Sequence, residues 1–529
     1  MRPRMRKRAG ILLAAALGLT GVVSQAAYAD PVRPVQPGER RTPSPSPSPT
    51  GGATPVARTV KVPSFDGTEI VVNFFPAKGL AAGQKAPTVL MGPGWGGAGE
   101  RTGEAPTSDA AGVIGTGVLR AHGYNVVTWD PRGFGGSGGE ANVNYVWKEG
   151  RDVSALVTWL TKQPEARLDH RGDPRVGMAG GSYGGGAQYV AAAIDRRIDA
   201  IVPSMAWNSL ISSLYPDGAY KAGMGNMLCA AGSAGTNRVD AHVKSSCASG
   251  AATGLLSPED QRWYAERGPG ALVSRITAPT LILQGTVDTL FPLDEGVANY
   301  RRLRDAGTPV KMAWYCGGHG QCASNPGPRG HIEKLTLNWL SRHLKRENVA
   351  TGPAFEYVDD TGVWRGLPYY PSRTRDLRAS GEGELTVRPG DTSGNAGAAR
   401  PAAKALNVEV KAPGRTGQLL GAPELRLTYK GKAAAGSPAT TFLYAQLVDR
   451  RTGVVVGNQA TPIPVRLDGR THVVKRDLEM IAWSAGPDSR LTLQITPGTA
   501  LYTPQRATAD LTLRASVDLP LTTPGSPVS

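Results

Sequence analysis

The sequence predicts an α/β domain with a mostly parallel sheet, followed by an all-β, jelly-roll-like sandwich. The first observation is an alternation of apolar strand runs with helical patterns over residues 58–351, which is typical of parallel sheets covered by helices. The second is a change over residues 352–517 to short alternating runs separated by Gly, Pro and Asp, which indicates an antiparallel sandwich. The third is the length of 529 residues, which exceeds what one hydrophobic core usually fills.

The amino-terminal residues 1–29 are expected to be an export signal that is removed from the mature chain. A basic start and the short apolar run Ile11–Val23 precede Ala27-Tyr28-Ala29, which matches a signal-peptidase site. The alternative is an uncleaved anchor, but the run is shorter than a membrane span needs. Residues 30–57 are a linker rich in Pro and Ser. We therefore predict a secreted protein without stable membrane insertion.

The formal net charge of +16 comes from Lys and Arg that are scattered rather than clustered. Without a dense basic block or a zinc motif, we expect no nucleic-acid partner. Cys229, Cys247, Cys316 and Cys322 form an even set in an exported chain, which predicts two disulfides. Three pairings are possible; proximity favours Cys229–Cys247 and Cys316–Cys322, and unpaired thiols are the alternative. No pair has the spacing of a zinc site.

The elements of the α/β domain follow from apolar runs and their periods. The predicted strands are Thr59–Val62, Glu69–Phe75, Pro87–Met91, Asn125–Trp129, Arg175–Ala179, Ala200–Pro203, Thr280–Gln284 and Val310–Tyr315. The predicted helices are Arg151–Leu160, Tyr183–Ile194, Asp294–Arg304 and one beginning at His331. The alternation pauses over residues 207–274, which we interpret as a helical cap above the sheet. Residues 518–529 are expected to be a tail.

A candidate nucleophile lies in Gly180-Gly181-Ser182-Tyr183-Gly184, which matches G-x-S-x-G. The motif falls between a predicted strand and a predicted helix, which is the context of a nucleophile elbow. The turn is so tight that its flanking positions must be nearly free of side chains, and its strain raises the serine hydroxyl above the sheet. A glycine-rich turn without function is the alternative.

Asp288 and His319 are the candidate acid and base that a serine hydroxyl needs to act as a nucleophile. Each follows a predicted strand, and they complete the chain order Ser, Asp, His of α/β-hydrolases. The rivals are less suitable, because Asp294 is expected to cap the next helix and His331 to start one. A Cys316–Cys322 disulfide would close a small loop around His319.

The oxyanion that forms during acyl transfer needs two donors. One is expected to be the backbone N–H of Tyr183, the residue after the nucleophile, and the other the N–H of Trp95 in the loop after the third strand. Trp95 could instead be only a wall of the pocket. The run Asp130–Ser137 lacks the features of a phosphate-binding loop and is interpreted as a structural turn beside the site.

These motifs together resemble the α/β-hydrolases of the Xaa-Pro dipeptidyl-peptidase and cocaine-esterase-like family. The resemblance rests on Ser64-Phe65-Asp66-Gly67-Thr68, Asp130-Pro131-Arg132-Gly133, the Ser182 motif, Asp288 and His319. It implies a hydrolase core with a helical cap and a carboxy-terminal jelly roll, over residues 58–517. It also implies an acyl-enzyme on Ser182 and substrates that are acyl esters or short peptides with proline after the first residue.

The chain departs from this family in the loop after the third strand, where Trp95 stands in place of a tyrosine that helps to bind the oxyanion. A peptidase of this family must also recognise a free amino terminus. Asp217 in the predicted cap is the candidate for that role, and Trp207 at its beginning is a candidate substrate contact.

The sequence therefore predicts a secreted serine hydrolase acting on esters or Xaa-Pro peptides, without metal or organic cofactor. One alternative is a carboxylesterase, lipase or polyesterase without peptidase activity. An alternative of another class is an inert hydrolase fold that serves as a binding protein, which a complete Ser-Asp-His set argues against.

Overall fold

The computed structural model describes residues 55–234, 238–371, 375–392 and 398–528. The predicted export signal and most of the predicted linker lie outside the described residues. Within those ranges, no helix combines the length and the apolar character that crossing a bilayer requires.

The predicted hydrolase region has elements numbered here in chain order. Its strands are β1 (Arg58–Pro63), β2 (Glu69–Phe75), β3 (Thr88–Met91), β4 (Asn125–Trp129), β5 (Leu168–His170), β6 (Asp173–Pro174), β7 (Val176–Gly181), β8 (Ile198–Ser204), β9 (Thr280–Gly285), β10 (Val310–Tyr315), β11 (Phe355–Val358) and β12 (Trp364–Leu367). Its helices are α1 (Thr116–Ala121), α2 (Glu149–Leu160), α3 (Tyr183–Ala192), α4 (Leu210–Leu214), α5 (Ala222–Ser233), α6 (Ala241–Thr253), α7 (Pro258–Ala265), α8 (Leu293–Asp305) and α9 (His331–Leu340).

One large sheet organises this region in the order β1-β2-β4-β3-β7-β8-β9-β10-β11-β12. From β4 to β11 neighbouring strands run parallel, whereas β1, β2 and β12 are antiparallel to their neighbours. The opening hairpin turns at Asp66-Gly67, where Gly67 has a φ of 81°. The predicted fold class, an α/β-hydrolase core followed by an all-β region, is confirmed.

Successive side chains of the central strands point to opposite faces of the sheet, and both faces are buried. On β3, for example, Leu90 packs with residues of α2, α3 and α8, whereas Val89 packs with residues of α1 and α9. Strands buried on both sides are continuous apolar runs, which is why they were identifiable in the sequence.

The cap consists of α4 to α7 and has its own apolar cluster, which includes Trp207, Tyr220 and Tyr264. The Cys229–Cys247 disulfide joins α5 to α6. The favoured pairing of the cysteines is thus confirmed, since the second disulfide is Cys316–Cys322.

The sandwich packs two sheets around a second apolar core. Its strands, with the short last strand of the chain, are β13 (Arg375–Val387), β14 (Leu406–Val410), β15 (Gly417–Gly421), β16 (Glu424–Ala433), β17 (Thr440–Asp449), β18 (Val454–Val455), β19 (Thr461–Arg466), β20 (Asp468–Asp477), β21 (Ile481–Ala485), β22 (Leu491–Thr496), β23 (Ala509–Thr522) and β24 (Ser526–Pro527). One sheet has the order β20-β16-β23-β15-β21 with β13 on β23, and the other β14-β22-β17-β18 with β19 on β17.

The structure differs from the expected division of the chain at two places. Strands β11 and β12 lie beyond residue 351 but extend the hydrolase sheet. Strand β23 continues to Thr522, and β24 pairs with β12, so part of the expected tail also joins that sheet. Short runs of this kind do not reveal which of two sheets they will pair with.

Candidate active site

Ser182 lies in the sharp turn between the end of β7 at Gly181 and the start of α3 at Tyr183. Its backbone has a φ of 55° and a ψ of −120°, which is a strained conformation for a residue with a side chain. A Cβ at Gly184 would lie 2.1 Å from the carbonyl oxygen of Gly92. The loop after β3 therefore packs directly on the turn, and only glycine fits at that position.

His319 bridges Ser182 and Asp288 although the three residues are far apart in the chain. Its Nε2 is 2.9 Å from the Ser182 Oγ, and its Nδ1 is 2.9 and 2.8 Å from the two carboxylate oxygens of Asp288. When Nδ1 donates to the carboxylate, Nε2 is left as the acceptor for the serine hydroxyl. The structure thus brings the three predicted residues into one hydrogen-bonded chain.

The Asp288 carboxylate is fully buried and is held from its own loop. Its Oδ1 accepts hydrogen bonds from the backbone N–H groups of Leu290 and Phe291, at 3.0 and 2.9 Å. The ring of Phe291 packs edge-on against His319, with centroids 5.2 Å apart. These contacts fix the orientation of the carboxylate and of the imidazole.

The rival acid and base have other partners. Asp294 was expected to cap the helix, but α8 begins at Leu293, and the Asp294 carboxylate accepts a bond from the backbone N–H of Met480 in the sandwich. His331 starts α9 as expected, and its Nε2 bonds with Glu356.

The loop that carries Trp95 turns back on itself, with Gly97 N–H donating to Gly94 C=O at 3.1 Å. The indole N–H of Trp95 donates to the carbonyl of Leu228 in α5 at 2.9 Å, so the side chain ties the loop to the cap. Its ring packs edge-on against Phe134 and Tyr183. As the first residue of α3, Tyr183 has a backbone N–H without an acceptor within the helix.

Beneath Tyr183 lies a buried polar network that no sequence motif indicates. The Tyr183 hydroxyl donates to Glu149 at 3.1 Å, and the Asn144 side chain donates to the Tyr183 carbonyl at 2.7 Å. Burial raises the pKa of Glu149 to about 7. The turn at Asp130–Ser137 contributes Arg132, which pairs with the buried Asp152, in agreement with a structural role for that turn.

A cavity of about 70 Å³ opens onto Ser182 beneath the cap. Its described lining contains apolar and aromatic residues, the disulfide-bonded pair Cys229 and Cys247, two serines and a glycine, and no charged side chain. Trp95, Trp207 and Tyr183 are among the lining residues, so the structure does place the predicted substrate contact Trp207 at the cavity. Among the described residues, no cluster of His, Cys, Asp and Glu is arranged to hold a metal ion.

Asp217 does not reach this cavity. Its carboxylate accepts a 2.5 Å hydrogen bond from Arg476 of the sandwich, and it lines a separate surface groove with Glu295 and Glu479. Asp217 therefore anchors the cap to the sandwich, a contact that depends on two segments far apart in sequence.

The sandwich also reaches the site through Gln459, whose side-chain amide donates to the Asp288 carbonyl at 2.7 Å. Gln459 lies between β18 and β19, in a segment that carries no sequence motif, so the sequence did not identify its role. The same holds for Tyr220, which lines the cavity from the cap.

Comparison with known proteins gives a family match over the site. Residues 66–321 match the family model of the X-Pro dipeptidyl-peptidase (S15 family). A curated protein of Escherichia coli, described as an uncharacterized 31.7 kDa protein in the traX-finO intergenic region, is 35% identical over 85 residues, or 16% of this chain. The chain spans only 28% of the length of that relative.

Solved structures share the fold at low sequence identity. A CocE/NonD family hydrolase from Staphylococcus aureus is 13% identical, with 88% of this chain and 93% of that chain covered and a TM-score of 0.62. An aminopeptidase from a marine sediment Thaumarchaeota archaeon is 14% identical, with 91% and 99% covered and a TM-score of 0.66. An alpha-amino acid ester hydrolase is 14% identical, with 90% and 98% covered and a TM-score of 0.68.

The solved structures share the fold of an α/β-hydrolase core followed by an all-β region. The family match over residues 66–321, just under half of the chain, confirms the resemblance inferred from the sequence motifs.

Proposed function

We propose that the protein is an exported carboxylesterase that cleaves esters of short apolar acids through an acyl-enzyme on Ser182. The observation that carries this proposal is the cavity at Ser182, whose described lining has no charged side chain. A dipeptidyl-peptidase substrate presents a free ammonium group, which requires a carboxylate partner when it leaves water. An uncharged acyl chain requires only an apolar surface.

In this mechanism His319 Nε2 removes the proton of the Ser182 hydroxyl, 2.9 Å away, while the oxygen attacks the ester carbonyl. The tetrahedral oxyanion accepts hydrogen bonds from the backbone N–H groups of Tyr183 and Trp95. His319 then gives the proton to the departing alcohol. Water deprotonated by His319 releases the acid and restores the serine. Asp288 holds the ring and stabilises its charged form throughout.

The size of the cavity supports short acyl groups. A volume of about 70 Å³ holds roughly five water-sized atoms, because one water needs about 10–15 Å³ on this measure. Acetyl to pentanoyl chains are therefore the expected substrates. Binding alone does not require a buried carboxylate that orients a histidine towards a serine on a strained turn, so this arrangement argues against an inert binding protein.

Export is the second part of the proposal. It is supported by the predicted signal and by the two disulfides, since such bonds persist in oxidising compartments. Expression in a secreting host, with amino-terminal sequencing of the protein from the medium, tests it. A mature chain that begins at Asp30 is expected, and full-length protein retained in the cell would contradict export.

The activity is tested with purified mature protein, a fluorophosphonate probe and two substrate types. We expect labelling of the wild type and of Ser154→Ala, a control on α2 outside the cavity lining, and none of Ser182→Ala. We expect kcat/KM on p-nitrophenyl butyrate to exceed that on an aminoacyl-prolyl p-nitroanilide by at least about a hundredfold, or about 2.7 kcal/mol. Preference for the peptide would support a dipeptidyl-peptidase, and absence of labelling would contradict the role of Ser182.

A further inference from the structure

Tyr220 is part of the lining of two cavities. One is the apolar cavity of about 70 Å³ at Ser182, and Tyr220 is part of its lining. The other is a groove of about 700 Å³ between the cap and the sandwich, and Tyr220 is part of that lining too. Tyr220 itself is only 5% exposed. A single aromatic residue therefore borders both the confined cavity and a space ten times larger.

The Tyr220 ring is held in a slot between two cap helices. A Cβ added to Gly225 on α5 would lie 2.4 Å from the Tyr220 hydroxyl oxygen, and one added to Gly250 on α6 would lie 2.5 Å from the ring carbon that carries it. Only glycine leaves room for the ring at these two positions. The Cys229–Cys247 disulfide joins the same two helices, so the walls of the slot cannot easily separate.

The backbone of Tyr220 is fixed from the sandwich side. The Thr503 N–H donates to the Tyr220 carbonyl at 3.1 Å, and the Thr503 hydroxyl also donates to it at 3.4 Å. No hydrogen bond to the Tyr220 hydroxyl is found among the described residues. The ring is thus positioned by shape and by its backbone, and not by a polar contact that a substrate would have to break.

The groove beyond Tyr220 can accept an apolar chain. Leu255, Phe442, Tyr444 and Val474 line it, together with Arg466 and Arg506. A substrate chain that is buried along such walls increases the affinity of the substrate in proportion to the apolar area removed from water. Two arginines in the lining suit a chain that ends in a polar or anionic group.

We propose that Tyr220 is the specificity-determining residue that limits substrate chain length, by closing the apolar cavity against the groove between cap and sandwich. The proposal rests on the proposed esterase function, because it assigns the size of the ester group that reaches Ser182. With the ring in place, the cavity accepts a few carbon atoms. Without it, the cavity is continuous with the groove and accepts a long chain.

The experiment compares wild type with Tyr220→Ala, Tyr220→Leu and Tyr220→Phe on two ester series. One series is p-nitrophenyl alkanoates from acetate to dodecanoate, and the other is alkyl acetates from methyl to decyl. In the series whose chain extends into the cavity at Ser182, kcat/KM of the wild type is expected to fall beyond about five carbons. In that series, the ratio of kcat/KM for a ten-carbon chain to kcat/KM for a four-carbon chain is expected to be about tenfold or more higher in Tyr220→Ala, because each buried methylene contributes about fourfold.

The variants separate the ring from its hydroxyl and from general damage to the cap. Tyr220→Phe keeps the ring and is expected to retain the wild-type profile, whereas Tyr220→Leu is expected to give a smaller shift than Tyr220→Ala. Tyr215→Ala is the matched control, a buried cap tyrosine that lines neither cavity. Its chain-length profile is expected to be that of the wild type.

An unchanged profile for both Tyr220→Ala and Tyr220→Leu in both series would overturn the proposal, as would an equal shift for Tyr215→Ala. If Tyr220→Ala does not fold, Tyr220→Leu alone decides. Butyrate hydrolysis and fluorophosphonate labelling of the wild type report on the esterase function separately. Loss of those two signals in the wild type contradicts the proposed function, whereas their presence with an unshifted Tyr220→Ala contradicts only the role of Tyr220.

Discussion

The side-chain amide of Gln459, in the sandwich, donates a 2.7 Å hydrogen bond to the backbone carbonyl of Asp288 in the hydrolase core. Gln459 is 6% exposed, so this bond is shielded from water. The residue whose carboxylate orients His319 is therefore held by a domain that begins many residues later in the chain. This contact gives the sandwich a direct part in positioning the candidate catalytic groups.

Replacing Gln459 with Leu keeps the volume and removes the donor. We expect kcat on a short ester to fall about threefold to tenfold, which corresponds to about 1 kcal/mol of lost positioning, and stability to fall by about 1–2 kcal/mol. The control is Gln446→Leu, which removes buried bonds to Arg400 and Gln494 within the sandwich. That variant is expected to lose similar stability in urea unfolding and to keep wild-type kcat. Equal kcat for the two variants would contradict the role of Gln459.

Gly318→Ala is expected to abolish most of the activity. The added Cβ would lie 2.6 Å from the Cβ of Asp288, directly beside His319. Gly307→Ala is the matched control, because Gly307 also has a positive φ, at 76°, but faces open space. Both variants place alanine at a positive φ, 114° for Gly318 and 76° for Gly307, and therefore both strain the backbone. Only Gly318→Ala also displaces Asp288, so its kcat/KM is expected to be lower than that of Gly307→Ala by about a hundredfold or more. Similar residual activities would show that the loop adapts.

Removal of one disulfide or the other is expected to affect stability and the reactivity of Ser182 to different extents. Replacing Cys316 and Cys322 together by Ala frees the loop that carries His319, and chain entropy predicts a stability loss of about 2 kcal/mol for a separation of 6 residues. Replacing Cys229 and Cys247 costs about 3 kcal/mol for a separation of 18. The rate of fluorophosphonate labelling is expected to fall more in the first variant, although thermal unfolding shows the larger loss in the second. The reverse order of labelling rates would contradict a constraint on His319.

Glu149→Gln is expected to raise stability in a pH-dependent way. Burial raises the pKa of Glu149 from its usual 4.5 to about 7, so the folded state favours the protonated carboxyl. The free energy of unfolding of the wild type therefore equals that of Glu149→Gln below about pH 4.5, and it falls below that of the variant as the pH rises to about 7. Above that pH the difference is constant at up to about 3 kcal/mol. Urea unfolding at several pH values measures the difference in free energy of unfolding between the two proteins. A difference that does not change with pH would refute the raised pKa of Glu149.

Local patterns were sufficient for much of the fold and for the three central residues of the site. The turn at Ser182 is encoded by neighbouring glycines, because only small residues fit between β7 and α3. Asp288 and His319 could be found since each follows a buried apolar strand, and parallel strands bring their carboxyl ends to one edge of the sheet. These features depend on residues close in sequence, and the period of the apolar residues along the chain predicts the strands and helices that contain them.

The class of fold, the order of the elements and the candidate Ser, Asp and His can therefore be read from the amino-acid sequence. The pairing of Asp217 with Arg476, the bond from Gln459 to Asp288 and the addition of β11 and β12 to the hydrolase sheet become visible in the folded chain. So does the position of Tyr220 in the lining of two cavities. Each of these contacts joins segments whose approach depends on how whole domains pack, and packing of that kind leaves no period or motif in the local sequence.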